Sequence, residues 1–206
     1  MRSLLLPTET AVTGNYNDAL IREIRTFYAN YYQSRGSRVS SWSDRIYVSR
    51  GKAKKRKIVN EDGVISLLKD YSFDTVYFED LSFENQVSVS ANAKYLISNH
   101  GSGLTNMLFM RSGSSVLELR KEGDAKNNCF FSLASALNLN YFYQTCRAQN
   151  DSEVAHTANL IVDLTKLRQT VELMLHHGGA YPGRHGSNLS ETKEVNRRSP
   201  AEDSQS

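Results

Sequence analysis

The sequence predicts an α/β fold: a doubly wound, parallel six-stranded sheet with helices on both faces and a disordered C-terminal tail. Short apolar runs alternate along the chain with stretches of helical periodicity, the rhythm of strand-helix-strand units. One of those runs, Lys94-Tyr95-Leu96-Ile97-Ser98, reads as a strand buried on both faces. Directly after it come Asn99-His100-Gly101-Ser102-Gly103-Leu104-Thr105-Asn106, two glycines two apart at the start of a helix. A strand, a tight glycine turn and a helix N-terminus make a common anion site, because free amides and the helix dipole converge there.

The elements follow in order. Leu4-Leu5-Leu6 is a short first strand ending at Pro7. A loop with Thr13-Gly14-Asn15-Tyr16-Asn17 leads to a helix capped by Asn17 or Asp18 and running to about Tyr32. Its Leu20, Ile21, Ile24, Phe27, Tyr28 and Tyr31 fall on one face, expected to meet the core. Ser34 to Ser43 is a polar loop, and Arg45 to Ser49 a second strand. Asn60 or Glu61 opens a helix to about Asp70. Thr75 to Phe78 is a third strand, and Ser82 starts a helix through Val87 and Val89. Tyr95 to Ser98 is the fourth strand and Ser114 to Leu119 the fifth. Cys129 to Leu137 is helical, Tyr141 to Cys146 is the sixth strand, and 148–159 is a polar connection. Asp163 caps a last helix that ends at His176-His177-Gly178-Gly179. Residues 1–179 thus form one lobe and 180–206 a tail with little to bury.

Such a rhythm suggests the sheet order 3-2-1-4-5-6, with ligands at the carboxyl edge where the order reverses, between the first and fourth strands. The Gly14-Asn15 loop, Arg50, the His100 to Asn106 turn and Glu118 then converge on one crevice. Arg50 or Arg56 beside the turn's amides suits a phosphate or diphosphate, since guanidinium presents a planar fork. Glu118 suits the hydroxyls of a ribose. No Asp-X-Asp pair is present to hold a divalent metal, so fixed cations would carry the phosphate charge and no cofactor is expected.

Composition sets the limits. The 206 residues are 39% hydrophobic and 23% charged with a net charge of +3, an ordinary soluble balance. Arg50 to Lys57 holds six cations in eight residues, but no aromatic stands among them, which argues against single-stranded nucleic acid. The lysines there read as a solvated loop. Two cysteines, Cys129 and Cys146, imply no disulfide framework and fit a reducing, cytoplasmic setting. The three leucines before Pro7 are too short for a signal sequence, and no stretch could span a membrane. His176 and His177 read as helix-end residues rather than metal ligands.

Four pieces together resemble glycosyltransferase family 61. They are Thr13 to Asn17; Tyr47-Val48-Ser49-Arg50 with Ala53, Arg56 and Asn60-Glu61; Glu79 with Leu81-Ser82-Phe83 and Gln86; and His100 to Asn106 with Phe109 and Glu118-Leu119. The family usually has Ala where this chain has Ser102. The resemblance runs from about Leu4 to Leu119. It implies a Rossmann-like lobe of the two-lobed GT-B architecture, and a transferase that takes a nucleotide-activated sugar, a UDP-sugar, with inversion and without a bound metal. It implies a donor site at Gly14, Asn15, Arg50, Arg56, His100, Gly101, Ser102, Gly103, Leu104, Thr105, Asn106 and Glu118. His100 is the crevice's candidate general base; alternatively it positions the loop or contacts the donor, with the base in the missing lobe. The acceptor would be a glycan or another hydroxyl compound. The chain looks like the donor-binding C-terminal lobe alone, so either it is a fragment or a partner supplies the N-terminal lobe. A binding module without catalysis would use the same crevice. A nucleic-acid partner is not expected.

Overall fold

The computed structural model describes residues 11, 14–33, 42–124, 127–150 and 152–178. The Leu4 to Leu6 strand and the 180–206 tail lie outside the described residues.

Six strands form one sheet: β1 (Arg45–Val48), β2 (Asp74–Val76), β3 (Tyr95–Asn99), β4 (Ser115–Lys121), β5 (Asn140–Ala148) and β6 (Leu160–Ile161), in the order β2-β1-β3-β4-β5-β6. The first five are parallel, and β6 runs antiparallel to β5. The helices are α1 (Asp18–Gln33), α2 (Glu61–Asp70), α3 (Phe83–Asn92), α4 (Cys129–Ala136) and α5 (Leu164–Gly178). A 3-10 turn, Phe78–Asp80, and an eight-residue 3-10 helix, Ser102–Phe109, sit between them.

The doubly wound parallel sheet stands, but the strand order needs two corrections. β1 pairs directly with β3, Arg45 opposite Tyr95 and Val48 opposite Ser98. No strand can lie between them, so the expected position for Leu4 to Leu6 does not exist. The chain winds outward from β1 to β2, then crosses back over β1 to β3. The reversal therefore falls between β1 and β3, and ligand chemistry is expected outside their carboxyl ends. The sixth strand, β6, lies just after the polar connection 148–159 and is not legible in the sequence, because two residues carry no periodicity.

Alternation along the strands divides the core. Ile46, Val48, Leu96 and Val116 face Leu104 and Met107 of the 3-10 helix and Phe130 and Leu133 of α4. Tyr47, Ile97, Leu117 and Leu119 face Val64 and Leu68 of α2 and Leu167, Val171 and Met174 of α5. Every residue of β3 is buried, as a central parallel strand requires. The edge beside α2 is closed by a distant segment. Leu160 N donates to Lys57 O and Val59 N to Leu160 O, both at 2.8 Å. Asn60 bonds both the N–H and the C=O of Val162, 102 residues away.

The helix boundaries follow the sequence signals. Asn17 Oδ1 accepts from Leu20 N, Ser82 Oγ from Asn85 N, and Asp163 Oδ1 from Thr165 N and Lys166 N. The apolar stripe of α1, expected to meet the core, is a correction. Phe27 is 64% exposed and no described residue of α1 is fully buried. Ile21 packs partly buried on the core and Tyr28 meets Phe83 and Phe109 edge-on, and polar contacts complete the anchoring: Arg22 and Arg25 each donate to a carbonyl at the end of α4, Ala136 O and Leu137 O, at 3.0 Å. Cations at a helix C-terminus meet unpaired carbonyls and the negative end of the dipole, so the anchoring needs no deep apolar face. Among the described residues no helix is long and apolar enough to cross a membrane.

Candidate functional site

The loops after β1 and β3 meet at the point where the sheet order reverses. The β1 loop is built first. Ser49 N continues the sheet by donating to Val76 O at 2.9 Å. Glu61, at the start of α2, accepts from Tyr47 OH and Ser49 Oγ at 2.7 Å each, and Gly51 N donates to Ser49 Oγ at 2.9 Å. One carboxylate thus fixes the strand end and the turn that carries Arg50. Burial, then the adjacent Glu61 charge, pushes the Tyr47 phenol well above its ordinary range, so it stays a donor.

The β3 loop is locked to the basic segment. Arg56 takes a left-handed φ of 59°, donates through Nη1 to His100 O at 3.3 Å, and accepts at its own carbonyl from Asn99 Nδ2. Arg50 lies across Gly101, where a Cβ would stand 2.9 Å from Nη1. A Cβ at Gly103 would meet Val48 Cγ1 at 3.1 Å, so both glycines permit close approach. The expected helix is a 3-10 helix, Ser102–Phe109, and no side chain caps it. Its first amides are left without a side-chain acceptor.

Arg50 and Arg56 are the cations of this turn. Burial first, then the charge of Arg56, lowers the pKa of Arg50, while Glu79 opposes both. Arg50 Nε and Arg56 Nε are buried and have no hydrogen-bond partner among the described residues. Between Arg50, Glu79 and Gln86 on one side and Ser102, Gly103 and Asn106 on the other lies a cleft of about 260 Å³. Gln86 spans the 78–81 turn, donating to Phe78 O and Leu81 O. Lys54 and Lys55 are exposed, and Lys52 pairs with Asp80 at half exposure.

His100 sits over the next strand. Its Nδ1 bonds Glu118 Oε1, and Glu118 Oε2 accepts from Tyr141 OH. Asn127 Nδ2 lies 3.0 Å from His100 Nε2, while Asn127 Oδ1 accepts from Cys129 N at 3.4 Å. That second bond orients the amide so that its NH₂ faces the ring. That arrangement suits Nε2 as the acceptor and Nδ1–H as the donor to the carboxylate. Burial and the Glu118 bond push the Tyr141 phenol upward, keeping its proton on the donor side. Phe130 closes the ring edge-on at 5.0 Å.

The structure brings together Arg50, Arg56, His100, Gly101, Ser102, Gly103 and Asn106. Leu104 is fully buried under the loop and Thr105 is exposed. Glu118 is 1% exposed, within β4 rather than after it, and both its oxygens are engaged. A ribose would reach that carboxylate only by displacing Tyr141 or His100. Gly14, with φ 87°, and the exposed Asn15 precede α1, and no hydrogen bond among the described residues ties them to the crevice. Sequence reasoning missed Tyr141 and Asn127. Tyr141 becomes a neighbour of Glu118 only through the β4–β5 register, which sets Glu118 opposite Tyr143. Among the described residues no three His, Cys, Asp or Glu gather to hold a metal ion.

Comparison with known proteins bears on this crevice. A family model described as Glycosyltransferase 61 matches residues 1–117 of the 206. The EGF domain-specific O-linked N-acetylglucosamine transferase of Drosophila melanogaster is 35% identical over 98 residues, 46% of this chain and 18% of that protein. The protein of the same name from Bos taurus is 33% identical over 100 residues, again 46% and 18%, and that from Mus musculus 32% over 91 residues, 42% and 17%. The match spans less than a fifth of each relative's length. Arg50, Arg56 and the His100 to Asn106 turn all lie inside the stretch that matches the family.

Proposed function

Because this chain belongs to the glycosyltransferase 61 family, we propose that its crevice grips the diphosphate of a nucleotide-activated sugar, a UDP-sugar, for transfer to a hydroxyl acceptor. The observation that carries this reading is the pair of partly buried arginines at the Gly101 turn, each with a buried Nε–H that has no partner among the described residues. A diphosphate is a polyanion with acceptors enough for both forks and for the uncapped amides of the 3-10 helix.

The reaction would be a single in-line displacement with inversion. The acceptor oxygen attacks the anomeric carbon as the bond to the diphosphate breaks, and a base takes the hydroxyl proton. Arg50 and Arg56 meet the charge that grows on the leaving group, and they do so already in place. His100 is the candidate base: the acceptor hydroxyl would displace Asn127 from the Nε2 lone pair, and Glu118 stabilises the imidazolium that proton transfer creates. Charge neutralisation by fixed guanidinium groups makes the reading metal-independent.

The short coverage of the relatives favours a second reading of the same site. The lobe would bind donor, and transfer would need a further lobe or partner to complete the acceptor side. Thermal unfolding with UDP and UDP-sugars, with and without EDTA, tests the donor site. Saturating nucleotide at a hundredfold excess over its dissociation constant should stabilise by about 2.7 kcal/mol, with EDTA making no difference. Stabilisation lost on chelation overturns the metal-independent reading, and no stabilisation by any UDP compound overturns the donor site. A transfer assay beside it separates enzyme from binding lobe.

A further inference from the structure

Beyond His100, on the side away from Arg50, part of the sheet is left uncovered. Tyr141, Tyr143 and Thr145 alternate along one face of β5, and Glu118 and Arg120 of β4 share that face through the register Glu118–Tyr143 and Arg120–Thr145. Helix α4 covers only the start of this strip. Its Phe131 meets the Tyr141 ring edge-on at 5.6 Å, and Tyr141 stacks on Tyr143 at 6.4 Å and 27°. The result is a cleft of about 490 Å³ with a wall of three rings. Phe131 is 53% and Tyr143 59% exposed, so two large rings face water at one place.

The floor of the cleft is the hydrogen-bonded Arg120. Arg120 is 6% exposed, and its guanidinium donates to Asn127 O at 2.9 Å, to Asp124 O and to Asn128 Oδ1. Those bonds spend the arginine on holding Asp124, Asn127 and Asn128. Lys121 and Thr145 remain on the rim with donors and an acceptor, while the Asp124 carboxylate faces Arg120. The cleft adjoins the reacting groups, since Tyr141 both lines it and donates to the Glu118 that holds His100.

We propose that this cleft binds a pyranose ring of the acceptor glycan, its C–H face stacked on Tyr143 and Phe131 and its hydroxyls on the rim. The C–H-rich face of a pyranose carries slight positive charge and meets the negative face of an aromatic ring. An aromatic wall with a few convergent polar groups is how concave sites fix such a ligand. The assignment to acceptor rather than donor rests on the proposed donor reading, and on position along the chain. The anion site lies within residues 1–117, which match the family, and the cleft runs from Arg120 to Thr145, wholly outside them. The shared stretch thus carries the donor chemistry, and this chain's other residues carry the choice of acceptor.

Calorimetry and saturation-transfer NMR on the full chain test this, with cellotetraose, xylotetraose, chitotetraose and mannotetraose as sugar probes, and uridine and UDP as nucleotide probes. At least one tetrasaccharide should bind. Tyr143→Ala and Phe131→Ala should each weaken it about tenfold, and Tyr143→Phe should retain it. Both residues are exposed, and an unchanged thermal midpoint confirms that the variants fold. UDP binding should be unaffected by these variants and weakened by Arg50→Ala. No binding by any tetrasaccharide, or binding indifferent to Tyr143→Ala, overturns the proposal. A Tyr143→Ala variant that loses uridine and UDP instead would make the cleft a nucleobase site and overturn it too. A chain that binds a tetrasaccharide through Tyr143 but no UDP compound overturns the donor reading and leaves the sugar cleft standing.

Discussion

Arg50 lies against Gly101 so closely that a single methyl group on residue 101 would stand 2.9 Å from its Nη1. The obstructing atom is the tip of a flexible side chain, and the backbone of Gly101, at φ 164°, is extended and open to any residue. Gly101→Ala should therefore fold with a nearly unchanged midpoint while swinging the guanidinium away. UDP binding should fall by about 1–3 kcal/mol, the range for a hydrogen bond to a charged group. Calorimetry and thermal unfolding on the same variant check both halves.

The arginines and the lysines of the basic segment should separate. Arg50→Ala should weaken UDP binding by about 1.5–3 kcal/mol. Lys54 is exposed, and Lys54→Ala should cost far less, with a strong salt dependence. Equal losses in calorimetry would mean a diffuse electrostatic surface and not a site.

Glu118 serves two donors at once, and replacing it should show both. Glu118→Leu leaves Tyr141 OH and His100 Nδ1–H buried without their acceptor. At about 1–3 kcal/mol for each orphaned group, unfolding in urea should register a loss of about 2–6 kcal/mol. The ¹⁵N signals of His100 should lose the single Nδ1–H tautomer. Glu118→Gln should recover only part of the stability, because a carboxamide oxygen can still accept from His100 while its NH₂ cannot accept the Tyr141 O–H.

Cys146 supplies a pH dependence. Burial, with a smaller push from Asp163, raises its thiol to about 12 from an ordinary 9.0. The folded state holds the proton longer than the unfolded state does. Stability from this group is therefore complete below pH 9 and declines as pH rises towards 12, by up to about 1.4 kcal/mol per unit. Subtracting urea curves for Cys146→Ala from those of the parent at pH 8.5, 9.5 and 10.5 isolates the thiol from Tyr47 and Tyr141, which lose stability above pH 10. A thiol reagent should likewise react faster with Cys129 than with the 2%-exposed Cys146.

The parts of the fold legible in the sequence were those whose cause is local. Capping by Asn17, Ser82 and Asp163 and the fully apolar β3 needed only neighbouring residues. The switch point was legible in kind and misplaced in position, because sheet order depends on pairing, and a three-leucine run resembles any interior strand. The exposed face of α1 escaped because periodicity measures which residues share a face, not whether anything covers it. Arg50, Arg56 and the Gly101 turn were found together, since each follows a strand whose carboxyl end had to lie on one edge. The Glu118–Tyr141–His100–Asn127 chain was not, since it depends on the β4–β5 register and on a loop that reads as merely polar.

The bonds that tie 57–60 to 159–162 bear on how this polypeptide can be made and cut. As the chain leaves the ribosome, the edge beside α2 stays open until residue 162 has emerged, and the Tyr47, Ile97 and Leu117 face waits longer still for α5. Closing contacts at such separation is slow, and the intermediate exposes both a strand edge and an apolar sheet face. A fragment cut at residue 117, where the family match ends, would keep that exposure permanently. It would be a donor of sticky edges to its neighbours, not a smaller working lobe.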